Sequence, residues 1–293
     1  MIHDILRGAG RRLLGPTWFD SLVQFRRVPR TDPVLAAARQ SRCVFVEPHF
    51  DDVAFSCGGI LAALAEAGAP LDLITVFTAG PDAEASLSVL AREVHAQWAA
   101  EEPPYDLRRR EARRIEERID VRRKELGLQE VLYRDAALTA EDGLFQRGGE
   151  DEETVAHAVE RRLAEAVGDD ARTLFAPLGV GGHRDHRVVH AAVRALASRR
   201  PDWAVWYYED FPYTLDVDAL KERVRRLGPG LRPATVDVTA TVDERVRLSA
   251  AYDSQVRAIF GTPGRLRKEI LGYAGRVGTP RRPRERVWAL SSP

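Results

Sequence analysis

Two short segments of the chain carry side chains that bind metal ions and transfer protons. Residues 48–52 read Pro-His-Phe-Asp-Asp, and residues 181–186 read Gly-Gly-His-Arg-Asp-His. Imidazole nitrogens and carboxylate oxygens are common zinc ligands, and a catalytic zinc site uses about three of them and keeps one position open for water. His183 and His186 are three residues apart, so they share one face if they lie on a helical turn. Together the segments favour a divalent metal site, whereas residues 49–52 alone would equally fit a helix cap.

The elements that precede these segments place both of them at one edge of a sheet. Residues 43–46 (Cys-Val-Phe-Val) and 173–176 (Thr-Leu-Phe-Ala) are short apolar runs of the kind found in buried parallel strands. A proline follows each run within two residues and ends the strand. Open α/β sheets bind ligands in the crevice beyond the carboxyl ends of their strands. We therefore expect the two segments to converge there.

Strands and helices alternate along most of the chain. A strand at 43–46, a helix between Gly58 and Gly68 and a strand at 71–77 form a βαβ unit, which requires a parallel sheet. The sequence predicts an α/β fold with a Rossmann-like, mostly parallel sheet flanked by helices, and a small additional β element toward the C-terminus. The other predicted helices cover residues 107–126, 155–167, 186–197 and 245–260, and the other predicted strands cover 131–133, 205–208 and, outside the main sheet, 235–242.

The composition divides the chain into three parts. Residues 1–41 contain three prolines and are predicted to be an N-terminal extension that packs on the domain. Residues 42–261 contain both segments and form the predicted main domain. Residues 262–293 hold eight Lys or Arg against two Glu and are predicted to be a basic tail packed on or flanking the same domain. A basic rim that guides an anionic substrate is the alternative interpretation of this tail.

The charge balance and the cysteine count exclude several classes of protein. Because 44 basic residues balance 44 acidic residues, the chain lacks a net positive field for holding nucleic acid. Two cysteines are too few for a disulfide scaffold or a cysteine-rich structural zinc site. No run approaches the ~20 apolar residues of a membrane-spanning helix, and no apolar run typical of a secretory signal follows the N-terminal arginines. We expect a cytoplasmic protein that binds neither nucleic acid nor membranes.

The two segments resemble the PIG-L/LmbE family of zinc-dependent N-deacetylases, over roughly residues 42–260. Residues 58–59, 208–213 and 252–255 are similar to further parts of the family pattern. The resemblance implies a Zn²⁺-dependent hydrolase that removes an N-acetyl group from a small amino sugar or glycoside of the GlcNAc type. The implied products are acetate and a free amine. The implied partner is thus a small N-acetylated amino sugar, and a homo-oligomer is compatible with this reading.

The resemblance also implies roles for individual residues. His49, Asp52 and His186 are implied as zinc ligands. Asp51 is implied as the general base that takes a proton from the attacking water. His183, in its protonated form, is implied to polarise the carbonyl group and to stabilise the oxyanion.

Further implied roles concern the surroundings of the metal. Asp185 is implied to hold a neighbouring histidine. The positions implied to contact the sugar are Ser56, Arg114 and Asp135. Arg114 fits equally well as one charge on a solvated helix face, and His190 fits a buried structural histidine better than an extension of the face of His183 and His186.

The first segment departs from the family pattern at two positions. The family motif usually reads Pro-His-Pro-Asp-Asp-Glu, whereas this chain has Phe50 and Val53 at its third and sixth positions. Neither position is an implied ligand or base, so the metal site should be retained. The loss of the glutamate removes a hydrogen-bonding partner and makes a non-catalytic, metal-bound sugar-binding protein one alternative. Among enzymes, the alternative is an amidase that cleaves a larger acyl or thiol-conjugated group from an amino sugar.

Overall fold

The computed structural model describes residues 32–39, 41–82, 86–98, 103–146 and 152–290. The strands in these ranges are β1 (Arg42–Glu47), β2 (Leu71–Ala79), β3 (Arg122–Gln129), β4 (Ala171–Pro177), β5 (Ala204–Tyr208), β6 (Leu231–Asp237) and β7 (Arg284–Leu290). The α-helices are α1 (Pro33–Ala38), α2 (Asp52–Glu66), α3 (Val89–Trp98), α4 (Pro104–Arg118), α5 (Val131–Arg134), α6 (Glu152–Val167), α7 (Arg184–Ser198), α8 (Val217–Leu227), α9 (Val242–Ala250), α10 (Asp253–Phe260) and α11 (Pro263–Val277). Short 3₁₀ turns cover Glu141–Leu144, Val180–Gly182 and Tyr213–Leu215.

All of these strands form one sheet in the order β3-β2-β1-β4-β5-β7-β6. The strands from β3 to β5 are parallel, whereas β7 runs antiparallel to both β5 and β6. β2 lies on one side of β1 and β4 lies on the other, so the strand order reverses at β1. Such a reversal opens a ligand-binding crevice at the carboxyl ends of the strands. The predicted α/β fold with a mostly parallel sheet is confirmed. The β element predicted outside the sheet is β6, which β7 joins to the edge of the same sheet.

The core fills both faces of the sheet because side chains alternate along each strand. In β1, Cys43 and Phe45 pack on one face, while Val44 and Val46 pack on the other. The ring of Phe45 stacks on Phe175 of β4 with a centroid distance of 4.4 Å. This buried centre fixes the carboxyl ends of β1 and β4 side by side.

The region around residues 107–133 differs from its prediction. Helix α4 ends at Arg118, residues 122–129 form β3, and residues 131–134 form the short helix α5 instead of a strand. β3 pairs with β2 at the edge of the sheet, where Arg122 and Lys124 form ion pairs with Asp72 at 2.9 and 3.5 Å. Charged side chains suit an edge strand, and this pairing overrides the helical propensity of the segment.

The described parts of the predicted extension and of the predicted tail both form regular secondary structure. The predicted extension at 1–41 lies outside the described residues as far as position 31, and residues 33–38 form α1, capped by Asp32 at Val34 N and Leu35 N. Residues 262–293, predicted to be a basic tail, supply α11 and β7. Because β7 lies between β5 and β6, this segment is part of the sheet.

Helix α2 is interrupted after its first turn, and β7 supplies the group that stabilises the break. Cys57 has non-helical dihedral angles of φ −140° and ψ 29°. The carboxylate of Glu285 on β7 accepts hydrogen bonds from Gly59 N and Ile60 N, both at 2.9 Å. The buried guanidinium of Arg245 pairs with Glu285 at 3.1 Å and donates to the carbonyl of Phe55. Residues far apart in the sequence thus hold the helix that begins at Asp52.

Among the described residues, no helix combines the length and the apolar character needed to cross a lipid bilayer.

Candidate active site

The two segments meet at the carboxyl ends of β1 and β4, as the topology led us to expect. Residues 48–52 connect β1 to α2, and residues 180–186 form a turn and the start of α7. The ring of His49 lies 5.3 Å from that of His183 and 5.5 Å from that of His186, measured between centroids. The rings of His183 and His186 are 5.2 Å apart. Three imidazoles therefore share one small volume.

Asp52 lies between two of these imidazoles. Its Oδ2 is 3.3 Å from Nδ1 of His49, and its Oδ1 is 3.4 Å from Nε2 of His186. The three residues are buried, and their candidate ligand atoms all lie within 4.8 Å of one another. The backbone N–H of His49 donates to Asp52 at 2.8 Å, which fixes the orientation of the carboxylate.

The remaining nitrogen of each ring is bonded to a second carboxylate. His49 Nε2 is 3.0 Å from Asp185 Oδ2, and His186 Nδ1 is 2.7 Å from Asp210 Oδ1. Histidine ligands of metals usually donate their second ring N–H to a carboxylate or carbonyl, which orients the ring. Two imidazoles and one carboxylate, each oriented in this way, fit a divalent cation such as Zn²⁺. The candidate ligand atoms of His49, His183 and Asp185 also lie within 4.8 Å of one another, but Asp185 already accepts hydrogen bonds from other residues.

Backbone amides hold both supporting carboxylates. Asp185 accepts from Arg134 Nη2 at 2.8 Å and from Val131 N at 3.1 Å. Asp210 accepts from Gly179 N and Val180 N, both at 2.7 Å. The predicted position of Asp185 beside a histidine is thus found at His49.

The charges in the cluster shift the ionisation of its members. Burial lowers the pKa of both His49 and His186, but the adjacent carboxylates outweigh it and hold both pKa values above the usual value. Although burial opposes it, the positive charge of His186 and His49 keeps the pKa of Asp52 far below its usual value. A bound cation would replace the protons that the two imidazoles otherwise attract.

Asp51 lies beside the cluster at the start of α2. Its Oδ1 accepts a hydrogen bond from Arg108 Nη2 of α4, and both side chains are buried. Burial raises the pKa of Asp51 above its usual value, the positive charge of Arg108 lowers it, and the negative charge of Asp52 raises it. A carboxylate with a raised pKa is a better proton acceptor near neutral pH than a solvated one.

His183 precedes α7, and its surroundings disfavour the protonated ring. Its Nδ1 accepts a hydrogen bond from Asp185 N at 3.3 Å, so the proton of the neutral ring resides on Nε2. Burial holds the pKa of His183 well below its usual value, in spite of the charge of Asp185. These surroundings favour a neutral ring that can donate through Nε2–H over the protonated ring that the resemblance implies.

The three positions predicted to contact the sugar do not line the cavity above the cluster. The hydroxyl of Ser56 accepts from Phe211 N at 3.0 Å, Arg114 is exposed and donates to the carbonyl of Ala251, and Asp135 accepts from Arg184 at 2.6 Å. The polar groups of these three residues thus form hydrogen bonds within the protein. The polar lining of the cavity comes from His49, Asp51, Asp52, Arg108, Glu130, Glu141, His183, His186, Tyr213 and Gln255.

Three residues of this site, Asp210, Glu130 and Arg108, were given no role from the sequence, although their positions in the chain could have indicated one. Glu130 follows β3 directly and Asp210 is the second residue after β5, at the same edge as the two segments. Glu130 Oε2 lies 3.3 Å from His49 Nε2. Arg108 shares a buried face of α4 with Ala112 and Ile115, and this spacing could have distinguished it from exposed arginines of the helix.

Asp210→Asn should weaken metal binding. Asparagine can still accept from the two backbone amides, but it loses the charge that orients and polarises His186. Loss of such a partner typically lowers metal affinity or activity about 10–100-fold. Competition with a chelator of known affinity measures the effect on Zn²⁺. An unchanged affinity would show that Asp210 does not support His186.

His190 lies outside the cluster, although it is on the same helix. Its Nδ1 is 3.0 Å from the carbonyl oxygen of Pro177, and its ring lies 4.7 Å from that of Tyr207. Nε2 is buried and has no hydrogen-bond partner among the described residues. Burial and the charge of Arg223 lower the pKa of His190 to about 3.

We expect this histidine to make folding sensitive to acid. The folded pKa is lowered, so the stabilising effect is present above the unfolded pKa of about 6.5 and declines as pH falls toward 3. Between pH 7 and pH 5 the loss should be about 2 kcal/mol in the free energy of unfolding. His190→Asn should remove this component in denaturant titrations at the two pH values, while exposed His157→Asn should not. Equal losses in wild type and His190→Asn would contradict the assignment.

Comparisons with known proteins agree with this geometry. The family model described as GlcNAc-PI de-N-acetylase (PIG-L) matches residues 44–197. The 2'-N-acetylparomamine deacetylase of Streptomyces fradiae is 38% identical over 278 residues, covering 85% of this chain and 90% of that protein.

Two solved structures share the fold at lower identity. A deacetylase of the teicoplanin biosynthesis pathway has a TM-score of 0.74 and 19% identity, covering 85% of this chain and 97% of the other. A zinc-inhibited form of teicoplanin deacetylase has a TM-score of 0.70 and 21% identity, with the same coverage. The family model spans more than half of the 293 residues. The chain therefore belongs to the PIG-L family of de-N-acetylases, and it is a hydrolytic N-deacetylase.

Proposed function

We propose that the protein uses Zn²⁺ to remove an N-acetyl group from an amino sugar of the aminoglycoside type. The observation that carries this proposal is the cluster of His49, Asp52 and His186, each ring anchored by a second carboxylate. Asp51 stands directly beside this cluster in an open cavity. The activity named for the Streptomyces fradiae relative supports the choice of an aminoglycoside.

Two side chains, together with the metal ion, would perform the chemistry. A divalent zinc ion, when bound, makes water more acidic and polarises a carbonyl group. Asp51 accepts a proton from the water whose oxygen attacks the acetamide carbon. Neutral His183 donates from Nε2–H to the carbonyl oxygen as negative charge develops there. The C–N bond then breaks, Asp51 returns the proton to the leaving nitrogen, and acetate and a free amine remain.

Two other cavity residues take the place of the predicted sugar contacts. Arg108 and Glu130 both line the cavity, and both are buried. A guanidinium and a carboxylate together can bind the hydroxyl groups of a sugar as donor and acceptor. We assign substrate binding to them instead of Ser56, Arg114 and Asp135.

Release of acetate from defined sugars tests the proposal. Zinc-loaded protein is incubated with N-acetylglucosamine, diacetylchitobiose and 2'-N-acetylparomamine, and acetate and new primary amine are measured with and without chelator. We expect both products in equal amounts, loss of both with chelator, and recovery when Zn²⁺ is restored. No product despite stoichiometric zinc would favour a binding protein. Release only from longer N-acyl sugars would favour an amidase of different specificity.

A further inference from the structure

Tyr213 occupies a place in the cavity that a glycine keeps open. Gly181, in the turn before His183, has a φ of +78°. A Cβ atom at this position would lie 2.7 Å from both Cβ and Cγ of Tyr213, closer than real Cβ contacts. The ring of Tyr213 therefore packs directly onto the backbone of the second segment. Glycine at 181 is required both by the left-handed backbone and by this contact.

The ring of Tyr213 is oriented by neighbours that belong to the site. It meets His186 edge-on with a centroid distance of 5.7 Å, and it meets Phe145 in the same way, also at 5.7 Å. His183 contacts the same two rings, at 5.2 Å from His186 and 5.5 Å from Phe145. Tyr213 and His183 thus flank one pair of rings beside the metal cluster.

The backbone of Tyr213 is fixed through the residue that supports His186. Thr214 N donates to the carbonyl oxygen of Asp210 at 2.9 Å, while the Asp210 side chain binds His186. Asp216 N closes the 3₁₀ turn on the carbonyl oxygen of Tyr213 at 3.1 Å. Asp210 therefore fixes the position of the Tyr213 backbone relative to His186, a candidate metal ligand.

The hydroxyl of Tyr213 has no protein partner among the described residues, in contrast to the hydroxyls of the buried Tyr208 and Tyr273. Tyr208 donates to the carbonyl of Val46, and Tyr273 donates to Glu209, each at 3.0 Å. Tyr213 is only partly buried and lines the cavity. A rigid phenol that lacks an internal acceptor and lines a cavity is available to a ligand.

We propose that the Tyr213 hydroxyl donates a hydrogen bond to the oxygen of the amide that is cleaved, as a second donor beside His183. This inference rests on the proposed deacetylation. A phenol is protonated at neutral pH because its ordinary pKa is about 10, so it can donate without losing its proton. Two donors of different origin would then share the charge that develops on that oxygen.

Tyr213→Phe tests this role because it removes the hydroxyl and retains the ring. We expect kcat to fall about 10²–10³-fold, as on removal of one oxyanion donor elsewhere. KM and the zinc content should stay near the wild-type values, because the bond strengthens only as the reaction proceeds. Tyr207→Phe, which removes a tyrosine hydroxyl outside the cavity, is the matched control and should retain full activity. An unchanged kcat, a change in KM alone, or a loss of zinc that parallels the loss of kcat would overturn the proposal.

Binding of methylphosphonate gives a second test that does not depend on the identity of the sugar. This tetrahedral anion resembles the geometry and charge of the reacting acetyl group. Zinc-loaded Tyr213→Phe should bind it about 10–100-fold more weakly than wild type, as expected for a lost hydrogen bond to a charged group. Equal affinities would overturn the role of Tyr213. Wild type that releases no acetate from any sugar would instead contradict the proposed function, and this binding comparison would still decide the role of Tyr213.

Discussion

Asp51→Asn should bind zinc like the wild type and release almost no acetate. Asparagine preserves the size of the side chain and an oxygen that can accept from Arg108, but it cannot take a proton from water. A positioned general base typically contributes about 10²–10⁴-fold to the rate. Asp51 is not among the three residues whose atoms converge as candidate ligands, so metal content should be unchanged. Acetate release and elemental analysis of the same preparation measure the two effects.

Two further measurements make this result specific. Asp218→Asn alters an exposed aspartate that pairs with Lys221 on the surface, and it should retain full activity. Substantial acetate release by Asp51→Asn would show that another group accepts the proton. A parallel loss of zinc would mean that Asp51 takes part in metal binding.

His49→Ala should lose both the metal and the activity. The substitution removes one of the three proposed ligands, and it leaves the buried carboxylate of Asp185 without the imidazole that it contacts at 3.0 Å. The decrease in zinc affinity should exceed the about 10–100-fold that follows loss of a hydrogen-bond partner of a ligand. Zinc per chain after dialysis against a weak chelator measures this loss.

The matched control for this variant is His157→Ala. His157 lies on the exposed face of α6, with 69% of its side chain accessible, so its loss should affect neither zinc nor activity. A stoichiometric zinc content in His49→Ala would remove His49 from the ligand set. Because a buried charge loses its partner, we also expect a lower thermal stability than in the control.

The convergence of His49, Asp52 and His186 was predictable because these metal-binding residue types follow two strands that are recognisable in the sequence. Glu130 escaped detection because residues 122–126 were predicted as the end of the helix over 107–126, which hid the strand that precedes Glu130. Only pairing with β2 makes that charged segment a strand, and a partner distant in sequence is not visible in local propensity.

Neighbouring carboxylates after β5 show a second limit of the sequence. Glu209 and Asp210 are adjacent, and the local sequence pattern does not reveal which of them faces the cluster of His49, Asp52 and His186. In the structure Glu209 binds Trp288 Nε1 at 2.8 Å and Tyr273, so it serves the packing of β7 and α11, while Asp210 binds His186. The choice depends on strands and helices formed by residues almost eighty positions later.

The break in α2 has a consequence for the order in which the site can be assembled. Asp51 and Asp52 are synthesised long before Glu285, whose carboxylate accepts hydrogen bonds from the second part of their helix. The span matched by the family model, 44–197, contains neither this glutamate nor Arg245. A nascent chain should therefore be unable to retain zinc until β7 has been released and inserted. A fragment that ends before β7 should need this strand, supplied in trans, to recover the site.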